Sequence, residues 1–501
     1  MKRKSKKIRL IALLMCSIML LGTLTACTGS GNANAEKPAD SETAATSAPD
    51  PASEQPETTV EAETLGYTRI DLEADLADAK QRYDANPDDS GAVYEYAQLL
   101  YQNADFEAAR TILDPLLQEE SPAPEIVYTA ANVEYVLGNY AKAEELYRYL
   151  VQNHNEDMGL AAEAGLQMVY YQTNEYSKAS GLFAGQDFEN SFLDMMKAFG
   201  DDTPYEMDWH GQEEAIVPFV VGDPLPVVPI EINGVRLNAV IDTGAPMLLV
   251  EETIASDIGI ESISKDIGEG ASGADEIAYG KAGSVNLGGI DIQNIPVLIA
   301  SVQGFSGYFD IELNAIVGTN FLQQFMPIMD YATGQLVLIP RTEEGKNHTE
   351  QLLSEERILE EIPFSLAATH YMYAKGSLNG YENLNMFIDS GLEDVNGESV
   401  VLSKLTMELL NIPIPELSAV PADKGGLGEE GFESGRFGLS SCGIGNLQQT
   451  GGLGVYDTSD VVSVLTNGLG IMSDVLISHG FVKHYKWFMD FDSMTMTFCE
   501  K

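Results

Sequence analysis

Apolar residues recur in distinct rhythms along the 501-residue chain, and each rhythm predicts its own kind of element. From about Asp71 to Phe199, Ala, Leu and Tyr return at spacings of three and four with few glycines, the period of helices that bury one face. From residue 213 the apolar positions instead fall in short Val- and Ile-rich runs, among them LPVVPIEI (225–232), LNAVI (237–241), PVLIA (296–300) and QLVLIP (335–340). Gly, Asn and Pro break these runs, which predicts short strands in a small closed or folded-over sheet. A polar, proline-containing bridge (201–212) precedes them, and a charged stretch from Arg341 to Glu361 leads into a second β-rich unit ending at Lys501. Residues 28–65 follow neither rhythm. They hold almost no large apolar side chain before Leu65, cannot offset the entropy of folding, and predict a flexible tether.

The helical stretch repeats itself. DFEAA (105–109), NYAKA (139–143) and EYSKA (175–179) align on alanines 34 and 36 residues apart, with Phe106, Tyr140 and Tyr176 three positions before each alanine. An aromatic and a small residue at this period, where one helix of a pair packs on the other, resemble the tetratricopeptide repeat. Its tryptophan and several other consensus positions are absent, and only Gly138 supplies the usual glycine before the second helix. The repeated aromatics and alanines are core positions first. A concave face that binds a protein partner is what the resemblance adds.

The chain opens on MKRKSKKIRL, an apolar stretch Ile11–Leu21, and Leu24-Thr25-Ala26-Cys27. A basic start, a short apolar core and a small-residue cleavage site make a signal peptide, and its apolar core is too short for a lone transmembrane helix. Cysteine at the cleavage point resembles a bacterial lipoprotein signal. That implies lipid attachment through Cys27 and an extracytoplasmic place on the bacterial cell membrane.

Charge narrows the partners. With 28 basic against 77 acidic residues the net charge is −49, and the signal removes only positive charges. Nucleic acid and anionic lipid headgroups are poor partners for such a surface, which serves chiefly to keep an exported protein soluble. Once Cys16 leaves with the signal and Cys27 is acylated, Cys442 and Cys499 remain, as either a disulfide or two free buried thiols. No CxxC, HExxH or histidine cluster occurs, so neither a catalytic metal nor a cofactor is expected. No GxSxG occurs either, since GFESG (431–435) carries its serine one position late.

Two apolar runs deliver an aspartate into a tight turn. NAVIDTG ends on Asp242-Thr243-Gly244 and NMFIDSG on Asp389-Ser390-Gly391. One such tripeptide is a common turn; two in matching contexts supply what a shared-proton carboxyl pair needs. The contexts match at length. EINGVRLNAVIDTG (231–244) aligns with SLNGYENLNMFIDSG (377–391) with one insertion, and FLQQFMPIMDY (321–331) lies over FVKHYKWFMDF (481–491).

Here the chain resembles the retropepsin-like and pepsin-like aspartic proteases. That family builds each lobe from an Asp-Thr/Ser-Gly loop, a later apolar pair plus glycine that braces the loop, and a glycine-rich flap. Lobe one has all three, in Asp242-Thr243-Gly244, Ile316-Val317-Gly318 and DIGEGASGADEIAYG (266–280). The resemblance implies a catalytic pair Asp242 and Asp389, hydroxyls of Thr243 and Ser390 bonding across the lobe junction, and Gly244 and Gly391 permitting close backbone approach. Ala245 follows the retroviral pattern, in which the pair works nearer neutral pH.

Lobe two departs from that pattern. Leu392 replaces a small residue, Glu393 and Asp394 follow it, and Ser478 stands where lobe one has Gly318. Added carboxylates raise the pair's proton affinity if buried and do little in solvent. Gly425, Gly426, Gly428, Gly431 and Gly435 form either a second flap or a loose loop, with the loop preferred.

The expected chain is multidomain. It comprises a signal (1–26), a tether (27–65), an all-α helical repeat (66–200), lobe one (213–342), a linker (343–359) and lobe two (360–501) of an all-β bilobal aspartic-protease fold. The function this implies is a lipid-anchored aspartic endopeptidase acting on protein or peptide. The competing reading is a degenerate protease fold serving with the repeats as a surface peptide-binding scaffold.

Overall fold

A computed structural model describes residues 67–501 except 187, 271–272, 393–396, 422–430 and 460. The signal, Cys27, the tether, Glu393 and Asp394 lie outside the described residues.

Helices run from Arg69–Ala85 through Ser90–Gln102, Phe106–Leu113, Pro124–Val136, Tyr140–Asn153 and Asn155–Gln172 to Ser191–Ala198. Phe106 and Tyr140 each open the second helix of a pair, and Tyr176 opens a short 3-10 turn, Tyr176–Gly181, in the third. Ala109, Ala143 and Ala179 are wholly buried between partners. A second repeated aromatic packs on the first. Tyr101 meets Phe106, Tyr135 meets Tyr140 and Tyr171 meets Tyr176, with ring centroids 5.1, 5.5 and 5.9 Å apart. The turn between each pair puts Ala104, Gly138 and Asn174 at φ 57°, 79° and 58°, so two of three repeats reach the left-handed region without glycine.

The β-rich part is two lobes joined by one sheet. In lobe one the strand Val235–Asp242 lies parallel to Ala315–Gly318 and antiparallel to Val227–Ile232, inside an eight-stranded sheet. In lobe two Tyr381–Ile388 lies parallel to Val475–Ile477 and antiparallel to Tyr371–Leu378. Both hairpins close on Asn-Gly with positive φ at each residue, 48° and 82° at Asn233-Gly234 and 51° and 83° at Asn379-Gly380, the turn that matches strand twist. A six-stranded sheet bridges the lobes where Phe325–Asp330 pairs antiparallel with Tyr485–Asp490. Those strands belong to the two end segments that align in sequence, so the duplication meets itself at the lobe junction.

Three connecting segments differ from their sequence reading. The bridge 201–212 contains the strand Glu206–Asp208, which pairs with Ile290–Ala300 at the edge of the lobe-one sheet. The charged linker is largely a helix, Glu343–Ser354, capped where the Thr342 side chain accepts the Gly345 N–H. In the glycine-rich segment of lobe two, Gly425, Gly426 and Gly428 lie outside the described residues, while Ser418–Val420 on one side pairs antiparallel with Phe432–Gly438 on the other, which contains Gly435. That strand pair has the place in lobe two that Ser262–Gly270 and Gly273–Leu287 have in lobe one. Each lies beyond the strand that runs parallel to the one following the aspartate turn.

The central strands are buried on both faces. Leu248 and Val250, Val400 and Leu402, Met386 and Ile388, and Val475 and Ile477 point into the core shared by the lobes. The alternate residues Leu249, Val401, Phe387 and Leu476 join the core of the helical repeats. The helices therefore cover a face of both lobes. A buried ion pair fixes the contact, with Arg69 Nε donating to Asp474 Oδ1 at 3.0 Å and Arg69 Nη2 bonded to Oδ2. The two thiols are free and buried in different sheets, Cys442 in Ser441–Ile444 and Cys499 in Thr495–Glu500. Of the two alternatives for this pair, the structure carries the free thiols, and burial pushes them up to about 12 and about 11.

Candidate active site

Asp242 ends its strand, Asp389 directly follows its own, and the pairing of the lobes brings the two turns face to face. The Thr243 N–H donates to Ser390 Oγ at 3.0 Å, and the Ser390 N–H donates to Thr243 Oγ1 at 2.9 Å. Thr243 Oγ1 donates in turn to the Ile388 carbonyl at 2.9 Å, and Ser390 Oγ to the Ile241 carbonyl at 3.2 Å. Each hydroxyl accepts once and donates once, so both fully buried groups are satisfied across the lobe boundary. An alanine at either position would orphan buried partners.

The glycines follow from the same geometry. A Cβ on Gly244 would lie 2.5 Å from the Asp389 carboxyl carbon, and one on Gly391 would lie 2.0 Å from that of Asp242. Each carboxyl thus rests against the other turn's glycine. Each also accepts its own turn's amide, Gly244 N–H to Asp242 Oδ1 at 2.7 Å and Gly391 N–H to Asp389 Oδ1 at 2.9 Å. Asp242 is buried, and burial raises its carboxyl above the ordinary carboxylate range. A hydrogen bond from Asp389 and the amides of Gly244, Ala245 and Gly391 work in the opposite direction. Two carboxyls in hydrogen-bonding contact are costly to ionise together.

The braces differ between lobes for a steric reason. Gly318 N–H donates to Met247 O, and Ser478 N–H to Ser399 O, both at equivalent places. A Cβ on Gly318 would sit 2.4 Å from Met247 O and 2.6 Å from Ala245 O, so only glycine fits. The next amides bond to Ala245 O in lobe one and Leu392 O in lobe two. Only Pro246 separates Ala245 from Met247, whereas residues 393–398 separate Leu392 from Ser399. In lobe two the Ser478 side chain is accommodated, donating to Glu398 O at 2.5 Å and capping the helix His479–Val482. Ser478 is therefore a brace of different construction.

Sequence reasoning missed the groups that surround the pair. His370 lies in the turn before Tyr371–Leu378 and contacts the backbone of Gly244, while its Nδ1 bonds Thr369 Oγ1 at 2.9 Å. Burial pulls this imidazole down to about 3, so it stays neutral and places no cation beside the carboxyls. Tyr371 is half-buried near Asp389, and its phenol is raised by loss of solvation and then by the Asp389 charge. The helices grip the same turn, with the Tyr135 hydroxyl donating to Ala368 O and Gln172 Nε2 to Thr369 O at 3.0 Å. They also hold the flap. Ser191 Oγ donates to Lys265 O at 2.6 Å, Ser264 Oγ to Ser191 O at 2.7 Å, and Phe192 meets Tyr279 at 5.7 Å. ATHY (368–371) has no counterpart in lobe one, so nothing in the duplication marked it; the tyrosines at 101, 135 and 171 share the repeat period and were legible.

Comparison with known proteins bears on lobe one. Residues 228–321 match the family model described as aspartyl protease. This supports an aspartic protease domain in lobe one. Among solved structures, a retropepsin-like aspartic protease from Rickettsia conorii is similar at 19% identity, over 27% of this chain and 92% of that one, with a TM-score of 0.19. No curated protein matches the chain.

Proposed function

We propose that the chain is an aspartic endopeptidase whose catalytic pair is Asp242 and Asp389, held in one chain by its two lobes. The observation that carries this reading is the reciprocal seating of each carboxyl against the other turn's glycine. In such a pair the ionised member takes a proton from a water molecule, the resulting hydroxide attacks the peptide carbonyl, and the protonated member donates to the carbonyl oxygen. The roles belong to the pair and not to either residue. Thr243 and Ser390 position the loops, and the tetratricopeptide-like helices present polypeptide substrate or a protein partner to the cleft.

The test is cleavage of an unfolded protein by the full chain between about pH 4 and 7, the range in which a pair of this kind holds one proton. Because burial raises the Asp242 carboxyl, the alkaline limb of the profile should fall above the ordinary aspartate range of about 3.9. Loss of activity already at that value would contradict a buried shared proton. A folded sample that cleaves nothing across the range would return the chain to a peptide-binding scaffold.

For location, the reading is a lipoprotein on the outer face of the bacterial cell membrane, attached through Cys27. Cys27→Ser should move the protein from the membrane to the soluble fraction; unchanged fractionation would remove the anchor.

A further inference from the structure

The aspartate turns have little contact with solvent. Asp242 is 6% exposed, and the residues that follow each turn pack on the helices. Ala245 and Met247, just past the lobe-one turn, are part of the core of the helical repeats, and Leu392, just past the lobe-two turn, packs against it. Ile277 and Tyr279 of the strand Gly273–Leu287 join the same core. For a peptide carbonyl to meet both carboxyls and a water at once, its chain must lie across the two turns. The surface beside those turns is already covered.

The cover is held unevenly. On lobe two it is secured by the buried Arg69–Asp474 pair and by the bonds of Tyr135 and Gln172 to Ala368 and Thr369. Along lobe one, four buried polar atoms have no hydrogen-bond partner among the described residues: Tyr171 Oη, Tyr176 Oη and Asn174 Oδ1 of the third repeat, and Asn320 Nδ2 facing them. They share one seam. Asn174 Nδ2 reaches Gln324 of lobe one at 2.7 Å, and Tyr205, whose hydroxyl donates to Asn320 Oδ1 at 2.7 Å, lies near both phenols. Closure withdraws these groups from bulk water and returns no protein hydrogen bond to them, which lowers the cost of parting here.

We propose that the helical repeats are an intramolecular cover of the catalytic pair: the structure is the closed state, and the third repeat parts from lobe one before a polypeptide reaches Asp242 and Asp389. The inference rests on the protease reading and adds how that site is regulated. The same helices that stabilise the lobes hold activity down, and the rate follows the open population.

Two full-chain variants shift the seam in opposite directions. In Ser191→Cys/Ser264→Cys a disulfide replaces the contact in which Ser264 Oγ donates to Ser191 O at 2.7 Å, locking helix to sheet. Asn174→Gly/Ser191→Ala removes the side-chain bonds to Gln324 and to Lys265 O, while glycine keeps the left-handed turn at position 174. Opening is read independently through Met247→Cys, added to each variant and to wild type, as maleimide labelling at position 247 followed by mass spectrometry. Oxidising the lock should slow cleavage and labelling by about 10-fold, with cleavage restored by reduction. The loosened variant should raise both by about 5-fold, the worth of one net hydrogen bond. Equal cleavage with the lock oxidised and reduced would overturn the cover. So would cleavage that is not raised in a loosened variant of wild-type circular dichroism, the result for helices that only support the turns. Should no form cleave, the protease reading fails separately and labelling alone decides: equal labelling at position 247 in the oxidised lock and in the unlocked chain would overturn the closure.

Discussion

Asp242→Asn and Asp389→Asn are each expected to lower cleavage of an unfolded protein by about 10⁴-fold, the upper end of what a positioned acid or base contributes. Asparagine neither accepts the proton from water nor donates one to the carbonyl oxygen, and each task passes through a proton that the two carboxyls share. Neither substitution should unfold the chain, because an amide fits the space and its oxygen still accepts the Gly244 or Gly391 N–H. Stability provides a second readout with a defined sign. A carboxyl whose folded pKa is raised by burial contributes stability below its unfolded pKa and loses it as pH rises through the folded value. Asp242→Asn should therefore melt above wild type at pH 7, with the gap closing towards pH 4. Full activity in Asp389→Asn would show that lobe two does not complete the pair, and would point to first lobes pairing between two chains.

Arg69→Met is expected to cost about 3–5 kcal/mol, the range for removing one partner of a buried ion pair. Arg69 is 5% exposed and Asp474 2%. Asp474 also accepts the Asn385 N–H at 2.7 Å, and burial already raises its carboxyl against the pull of Arg69. Without the guanidinium the buried carboxylate, beside the strand that leads to Asp389, keeps only the Asn385 N–H and the charge of Lys375 to offset its burial. Urea unfolding would measure the loss, and the double variant Arg69→Met/Asp474→Asn should recover part of it, because the amide incurs no charge burial and its oxygen still accepts the Asn385 N–H. Equal stability of Arg69→Met and wild type would mean that the helices do not depend on this contact.

What the sequence made legible was local. Asn233-Gly234 and Asn379-Gly380 announce hairpins because few residue pairs tolerate two positive φ angles in succession, and the apolar runs before Asp242 and Asp389 announce buried strands. Thr342 followed by Glu343 and Glu344 was equally local, a capped helix start within a segment whose charge suggested a linker. The unread part concerned the second faces of strands. A run such as Leu248-Leu249-Val250 is continuous whether a helix or another sheet covers it, so its periodicity cannot say what lies on the far side. The accommodation of Ser478 was illegible for a related reason, since the carbonyl of Glu398 that takes its hydroxyl is brought to it only by the fold.

The coverage of both lobes by the helices makes the two-lobed half a non-portable module. Cutting the chain near residue 200 would expose Leu249, Phe387, Val401 and Leu476 together, an apolar surface that favours aggregation over an independent enzyme. The same cut would release Ala368 and Thr369 from Tyr135 and Gln172. The helices and the lobes are thereby bound to change in concert, because a substitution on either side of the seam is judged by the packing of the other.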